Sequence, residues 1–446
     1  MKIIIAGAGE VGAYLAKMLV KEDHDIILID NNEKRLKEVE SDADLLTVTG
    51  SCTSIRTLIE AGVKTADLFI AVTVTEQNNT IAAILAKKLG ARKTIARIDS
   101  MEYLEPKYKP HLLGLGIDKL IYPEYIAAKE VNGLIKQTGT SEIFDFSGGK
   151  LTLFVVKLDS DAPIVNKTLI EADAMTKSTD YRVVAISRNN KTVIPNGNDV
   201  LMVNDLVYVI TNPSGIVSIL KYAGKKKLEI SNIMILGGSR IGRMVAMRMQ
   251  SHLNIKMVDI DSDKCEMLAN ELNKCLIING DGRSLEFLEE QGIQDMDAFL
   301  AVTGNSETNI LSCIMAKRMG VKKTIAEVEN IDFIDVATQM GIDTIVNKKM
   351  SAASYIYSST LNAEVSSVKC ITGSDAEVLE FVVQPGAKIT GDIVRNINFP
   401  KKAIIGGVVR DDKSFIANGN TLIKANDKVV VFALPEAILQ IEDFFN

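Results

Sequence analysis

Residues 3–12 read IIIAGAGEVG and residues 233–242 read IMILGGSRIG. Each is an apolar run that passes directly into a glycine-rich loop. Ile3-Ile4-Ile5 reads as a strand buried on both faces of a parallel sheet. Gly7-Ala8-Gly9-Glu10-Val11-Gly12 follows at once, and Val11, Leu15, Met18 and Leu19 then recur at helical spacing. Strand, glycine loop and helix in that order form a dinucleotide-binding fingerprint, whereas a bare GxGxxG is weak. Gly7 permits the tight turn, Gly9 lets the backbone approach a pyrophosphate, and Gly12 lets the helix pack closely on the strand. The helix N-terminus supplies free N–H groups and partial positive charge.

The next apolar run, Ile26-Ile27-Leu28-Ile29, ends at Asp30. An acid there accepts from both ribose hydroxyls. Asn31 and Asn32 follow it, with no arginine to meet a 2′-phosphate, so NAD is favoured over NADP. Leu45–Thr49 reads as the third strand, ending at Gly50-Ser51, and Leu68–Val72 as the fourth, ending at Thr73 and Val74. Ligands sit at such carboxyl ends in open α/β sheets. Asn79 is read as a cap of the next helix. Ile95-Ala96 is the fifth strand, closed by Arg97, which suits a phosphate, a neighbouring subunit or plain solvent. Leu120–Tyr122 is the sixth.

A register shift of 230 carries the first unit onto the second. Gly50 maps to Gly280, Ala71-Val72-Thr73 to Ala301-Val302-Thr303, Asn79 to Asn309, and Lys93–Ala96 to Lys323–Ala326. Gly116-Ile117-Asp118 meets Gly341-Ile342-Asp343 after a small deletion. The copies differ where a ligand would lie. The second loop is Gly237-Gly238-Ser239-Arg240-Ile241-Gly242, with Ser239 for the middle glycine. Its second strand ends at Asp259, Asp281 stands where Ser51 was, and Glu327 replaces Arg97. A different nucleotide, weak binding or no ligand all remain open for this half.

A second repeat follows each Rossmann unit. Asn196-Gly197-Asn198 matches 418–420, Asn204-Asp205 matches Asn426-Asp427, and Ala162-Pro163-Ile164 resembles Ala387-Lys388-Ile389. Short β-branched runs between turn residues, with a helix signal at each end, read as small α+β domains. The expected order is Rossmann (1–138), small domain (139–224), Rossmann (229–362), small domain (363–446), with a solvated linker at Lys225-Lys226-Lys227. The fold class is α/β: two doubly wound parallel sheets, each followed by a small α+β domain.

Composition narrows function. A net charge of −6 without a basic tract argues against nucleic acid. No apolar run approaches the ~20 residues of a membrane helix, so a cytoplasmic protein is expected. Five scattered cysteines (Cys52, Cys265, Cys275, Cys313, Cys370) and three isolated histidines (His24, His111, His252) give no metal-ligand spacing. No acid/base constellation for hydride transfer and no Walker lysine loop accompanies the glycine loops, so the site residues read as binding without chemistry.

GAGEVG with Asp30, the AVT stretch with Asn79, the IARI strand with Arg97 and the duplicated β-rich domain together resemble the TrkA family. These are the peripheral nucleotide-binding subunits of Trk potassium-uptake systems, built from regulator-of-potassium-conductance (RCK) domains. The resemblance spans the whole chain. It implies a non-catalytic protein on the inner face of the membrane that binds NAD(H) and ATP or ADP. It implies a homo-oligomeric ring, dimer or tetramer, that gates an integral membrane K⁺ transporter of the TrkH or TrkG kind. Candidate nucleotide contacts in the first half are Gly7, Ala8, Gly9, Glu10, Val11, Gly12, Asp30, Gly50, Thr73, Val74 and Arg97. In the second they are Gly237, Gly238, Ser239, Arg240, Ile241, Gly242, Asp259, Asp281 and Thr303. Relatives use an acid at the position of Glu124 for a divalent cation; its place after Pro123 equally suits a helix start. The other readings are an NAD-dependent oxidoreductase and an RCK-type regulator of a different cation transport system.

Overall fold

The computed structural model describes residues 1–20, 24–136, 142–176, 181–188, 191–213, 215–224, 229–357, 365–370 and 376–446. The Lys225-Lys226-Lys227 linker and the expected boundaries at 138–139 and 362–363 lie outside the described residues. Met1–Ile126 and the helix that begins at Lys348 form one compact unit; Ala127–Asn347 and the C-terminal sheet form another.

In the first unit, β1 (Lys2–Ala6), β2 (Asp25–Asp30), β3 (Leu46–Thr49), β4 (Leu68–Ala71), β5 (Lys93–Arg97) and β6 (Lys119–Ile121) alternate with helices. These are α1 (Glu10–Val20), α2 (Glu33–Glu40), α3 (Ile55–Glu60), α4 (Glu76–Leu89) and α5 (Lys109–Gly114). The sheet runs β3-β2-β1-β4-β5-β6, all parallel, the doubly wound order with its switch point between β1 and β4. Ile3, Ile4 and Ile5 are completely buried, as a central parallel strand requires. The loop after β1 is shaped by two glycines. Gly7 has φ +112°, and a Cβ there would stand 3.0 Å from the Thr73 nitrogen. A Cβ on Gly12 would lie 1.8 Å from the Gly7 carbonyl oxygen, which is backbone and has no room to yield. Gly12→Ala is therefore expected to lift α1 off β1 and cost about 1–3 kcal/mol. Urea denaturation checks this; an unchanged midpoint would mean that α1 is not held at this contact.

Helix α6 (Pro123–Lys136) starts in the first unit and continues into the second. There follow β7 (Glu142–Phe146), β8 (Leu151–Lys157), α7 (Leu169–Thr176), β9 (Tyr181–Arg188), β10 (Lys191–Val193), β11 (Leu206–Thr211) and α8 (Ile216–Tyr222). They form an antiparallel sheet β10-β9-β11-β8-β7. The second Rossmann sheet holds β12 (Asn232–Leu236), β13 (Asn254–Asp259), β14 (Cys275–Asn279), β15 (Ala298–Ala301), β16 (Lys323–Glu327) and β17 (Thr344–Val346). Its order, β14-β13-β12-β15-β16-β17, repeats the first. Its helices are α9 (Arg240–Met249), α10 (Ser262–Glu271), α11 (Leu285–Glu290), α12 (Ser306–Arg318) and α13 (Asp332–Gln339), followed in the chain by α14 (Lys348–Tyr357). The last sheet contains β18 (Val365–Cys370), β19 (Glu377–Val382), β20 (Ala403–Arg410), β21 (Lys413–Ile416) and β22 (Lys428–Ala433), and α15 (Pro435–Phe445) ends the chain. Its order, β18-β19-β22-β20-β21, is the first small sheet over again.

Chain order hides one feature. Ala127, Ala128, Val131 and Leu134 of α6 share a core with Ile241, Val245 and Ala246 of α9, in the second Rossmann repeat. Conversely, α14 follows the second sheet but packs on α1 of the first. The alanine pairs Ala127-Ala128 and Ala352-Ala353 are fully buried, so small side chains let both helices approach closely.

Candidate functional site

Both glycine loops face the carboxyl ends of their strands, where ligands bind open α/β sheets. In the first, one carboxylate fixes the geometry. Asp30 Oδ2 accepts from the Ala8 N–H at 2.7 Å, and Oδ1 from the Asn32 N–H at 2.8 Å. Each oxygen keeps a further lone pair for a ribose hydroxyl. Between Gly7 and Gly12, a Cβ on Gly9 would meet nothing within 4 Å. The protein itself does not require glycine there; the space is open. Glu10 and Val11 begin α1, with Glu10 two-thirds exposed.

The far wall of the site is stitched by Asn79. Its Oδ1 accepts from the Thr73 N–H (2.8 Å) and hydroxyl (2.7 Å), and its Nδ2 donates to the Thr73 and Arg97 carbonyls at 3.1 and 3.0 Å. Asn79 is completely buried. The expectation that it caps α4 is corrected: Thr75 holds the N-cap position, and Asn79, a turn further on, ties β4 to β5. Val74 is 78% exposed beside this clamp. Arg97 lies at the end of β5, its Nη2 3.3 Å from Asp99 and 3.7 Å from Glu124, and its Nε is buried without a hydrogen-bond partner. Glu124 sits in the first turn of α6 and is buried. Gly50 has a cause other than a ligand, because a Cβ there would collide with Thr57 Oγ1 at 2.6 Å.

The second loop has the same frame and a different lining. Gly237 (φ +105°) and Gly242 are again forced by the backbone, the latter with a Cβ 2.3 Å from the Gly237 carbonyl. Ser239 takes the middle position and caps α9, its hydroxyl accepting from the Gly242 N–H at 3.3 Å. The side chain therefore uses one of the N–H groups that a phosphate would take. Arg240 and Ile241 open α9. Gly238 donates to Asp259 Oδ2 at 2.7 Å, as Ala8 does to Asp30. Here the acid is already neutralised: Lys264 Nζ lies 2.8 Å from the same oxygen, and the Asp259 side chain is 7% exposed. Burial raises its pKa, but Lys264 and the backbone N–H groups of Asp261 and Gly238 outweigh that and hold it below the ordinary value.

Asp281 accepts a forked pair from Arg283 at 2.9 and 2.7 Å, which holds its pKa down at about 2. Thr303 is clamped by Asn309 as Thr73 is by Asn79. Sequence reasoning missed Lys264, although its spacing of five from Asp259 on the following helix is a readable signal. It also missed Lys349. The α14 ammonium, almost buried, lies 2.9 Å from the Glu10 carboxylate in the first glycine loop.

Among the described residues no helix is long and apolar enough to cross a membrane, and no group of three or more His, Cys, Asp or Glu residues is placed to hold a metal.

The TrkA-N domain model matches residues 3–123 and 233–348, and the TrkA-C domain model matches residues 153–224 and 378–446. The Trk system potassium uptake protein TrkA of Vibrio alginolyticus is 32% identical over the whole of both chains. The protein of the same name from Halomonas elongata is 31% identical, covering 97% of this chain and 96% of its own. Among solved structures, the GsuK RCK domain matches with a TM-score of 0.62 at 16% identity, covering 100% of this chain and 94% of that one. The GsuK channel bound to NAD matches with a TM-score of 0.61 at 17% identity, covering 100% and 78%.

Proposed function

Because the chain belongs to the TrkA family, carrying both of its domain types twice over, we propose that it is the nucleotide-binding regulatory subunit of a Trk-type potassium-uptake system. The single observation that carries this reading is the first glycine loop, open at Gly9 and anchored on Asp30, with no cation immediately after that acid. Such a loop takes the pyrophosphate at the N-terminus of α1 and the adenosine ribose at Asp30. NAD(H) is its ligand, with ATP or ADP competing for the same phosphate and ribose contacts. Gly7 to Gly12, Asp30, Thr73, Val74 and Arg97 line it. The second half, with Ser239 over the helix N-terminus and Lys264 on Asp259, is the weaker dinucleotide site. The four domains follow one another in the order expected from the repeat, and the chain acts without catalysis.

Regulation requires that a nucleotide bind one arrangement of a ring more tightly than another. The ring is a homo-oligomer on the inner face of the membrane, and its partner is an integral membrane K⁺ transporter of the TrkH or TrkG kind. Calorimetric titration of the full chain with NADH, ADP and ATP, followed by pull-down from membranes, tests both parts. Saturable binding and recovery of a K⁺ transporter are expected. No binding of any nucleotide would overturn the ligand assignment, and turnover of nicotinamide with a small substrate would favour an oxidoreductase.

The Lys349–Glu10 pair gives a sharper expectation. Two charges in contact interact by about 4 kcal/mol at an effective dielectric of 20; with Glu10 largely exposed, about 1 kcal/mol survives solvent screening. Lys349→Gln leaves Glu10 uncompensated beside the phosphate site, so NADH affinity is expected to fall about five-fold. Adding Glu10→Gln should restore it. Equal affinities in all three variants would show that the pair only docks α14.

A further inference from the structure

The first small domain contains a cavity of about 400 Å³ between its sheet and helices α7 and α8. Pockets that hold small molecules start at about this size. Its walls are aliphatic, with Val156, Val207 and Val209 on the sheet side. One wall comes from the other small domain, at Ile404 and Ile416–Asn418.

The polar lining is mostly spoken for. Asn196 binds Asp199 and the Asn198 N–H within its own turn, Asn418 accepts from the Asn420 N–H, and the Tyr222 hydroxyl donates to the Met175 carbonyl. Asp173 lies on an exposed stretch of α7. Arg182 differs from all of these. Its Nη1 donates to the Ala417 carbonyl, and among the described residues no carboxylate pairs with it. Burial pulls its pKa below the ordinary value, with no carboxylate to oppose that. A guanidinium offers five N–H donors, so one carbonyl leaves most of its capacity unused. The duplicate fold does not need arginine here: Arg182 pairs across the sheet with Ile210, and at the same register in the second small domain Ile404 pairs with Phe432.

We propose that this cavity is an effector site separate from the glycine loops. It takes a small amphipathic carboxylate whose charged end meets Arg182 and whose apolar body lies along Val156, Val207 and Val209. A planar carboxylate matches the guanidinium fork and supplies the missing counter-charge. The apolar body fills volume that the side chains leave empty. Such a ligand touches both small domains, so it favours the arrangement in which Ala417 and Arg182 stay together.

The test uses the full-length chain, with decanoate as the probe and decanol as the uncharged control. Near one hundred times its dissociation constant, decanoate is expected to raise the unfolding midpoint by about 3–5 °C, and decanol by far less. Arg182→Gln should weaken decanoate binding at least ten-fold. Arg182→Met, which removes an unpaired half-buried charge, should leave the ligand-free midpoint unchanged or raise it. Equal shifts from decanoate and decanol, or undiminished decanoate binding by Arg182→Gln, would overturn the assignment. So would a drop in the ligand-free midpoint of Arg182→Met, because the arginine would then be a structural tie to Ala417. Nucleotide titration of the same variants should be unaffected, which keeps this site distinct from the glycine loops.

Discussion

Asp427→Ala is expected to destabilise the chain by about 3–5 kcal/mol, the cost of breaking a buried ion pair by removing one partner. Asp427 is 1% exposed and accepts a forked pair from Arg410, Nε to Oδ1 at 2.8 Å and Nη2 to Oδ2 at 2.7 Å. Oδ2 also accepts from the Lys424 N–H at 2.8 Å, and Arg410 Nη2 reaches the Leu422 carbonyl. The carboxylate thus holds a turn and a strand end together, and removing it strands a guanidinium and an N–H at once. The first small domain repeats the arrangement, with Arg188 on Asp205 at 2.7 Å through both nitrogens and on the Val200 carbonyl. Arg188 is 38% exposed against 27% for Arg410. Water will rescue more of the stranded charge there, so Asp205→Ala should cost less, about 2–3 kcal/mol once solvent screening is allowed for. Urea denaturation of both variants checks the magnitude and the order. A loss below about 1 kcal/mol in both would mean that the clasp decorates a turn that is stable without it.

The clasp shows what the sequence made legible and what it did not. Asn204-Asp205 and Asn426-Asp427 stand out as repeated pairs, and each Asn has a positive φ, 69° and 66°, which a short polar side chain tolerates. The arginines carry no such signal, because a single surface-like Arg has no periodicity. Yet the separation from Arg to Asp is 17 residues in both copies, and that repeat was there to be found. The Rossmann sheets were legible strand by strand, because a doubly buried parallel strand demands a continuous apolar run such as Ile3–Ile5 followed by an obligatory glycine. The exchange of α6 and α14 was not. Local pattern does not say which sheet their buried alanines meet. Asn79 reads as a cap for a similar reason. Its polarity near a helix start fits a cap, whereas its role depends on the Arg97 carbonyl 18 residues away. Lys264 and Lys349 belong to the same class, since a lysine's partner is set by tertiary geometry and the ordinary prior is solvent.

Asp30→Ala should raise the dissociation constant for NADH by about a hundred-fold or more, while Asp259→Ala should hardly change it. Two hydrogen bonds from ribose hydroxyls to a carboxylate are worth roughly 1.5–3 kcal/mol each, and Asp30 has the lone pairs to accept them beyond its bonds to Ala8 and Asn32. Asp259 has the same backbone partners at Gly238 and Asp261, but Lys264 occupies one of the two oxygens that a ribose would need. A ribose there would have to displace an ammonium and gain only what the ammonium gave up. The second substitution should instead appear in stability. The Asp259 carboxyl sits below its ordinary pKa in the folded chain, so the unfolded chain binds the proton more readily. Its stabilisation is present above the unfolded carboxylate range and lost as pH falls through the folded value. The stability gap between Asp259→Ala and the parent chain should therefore be full at pH 7 and close on acidification below about pH 4. Paired titrations with NADH and urea at pH 7 and pH 3.5 separate the two acids. If Asp259→Ala abolished half of the NADH stoichiometry, the second half would be a dinucleotide site in its own right, with Lys264 swinging aside on binding. If it changed only the acid limb of stability, the duplicated acid has become a strut, and dinucleotide sensing rests with the first half alone.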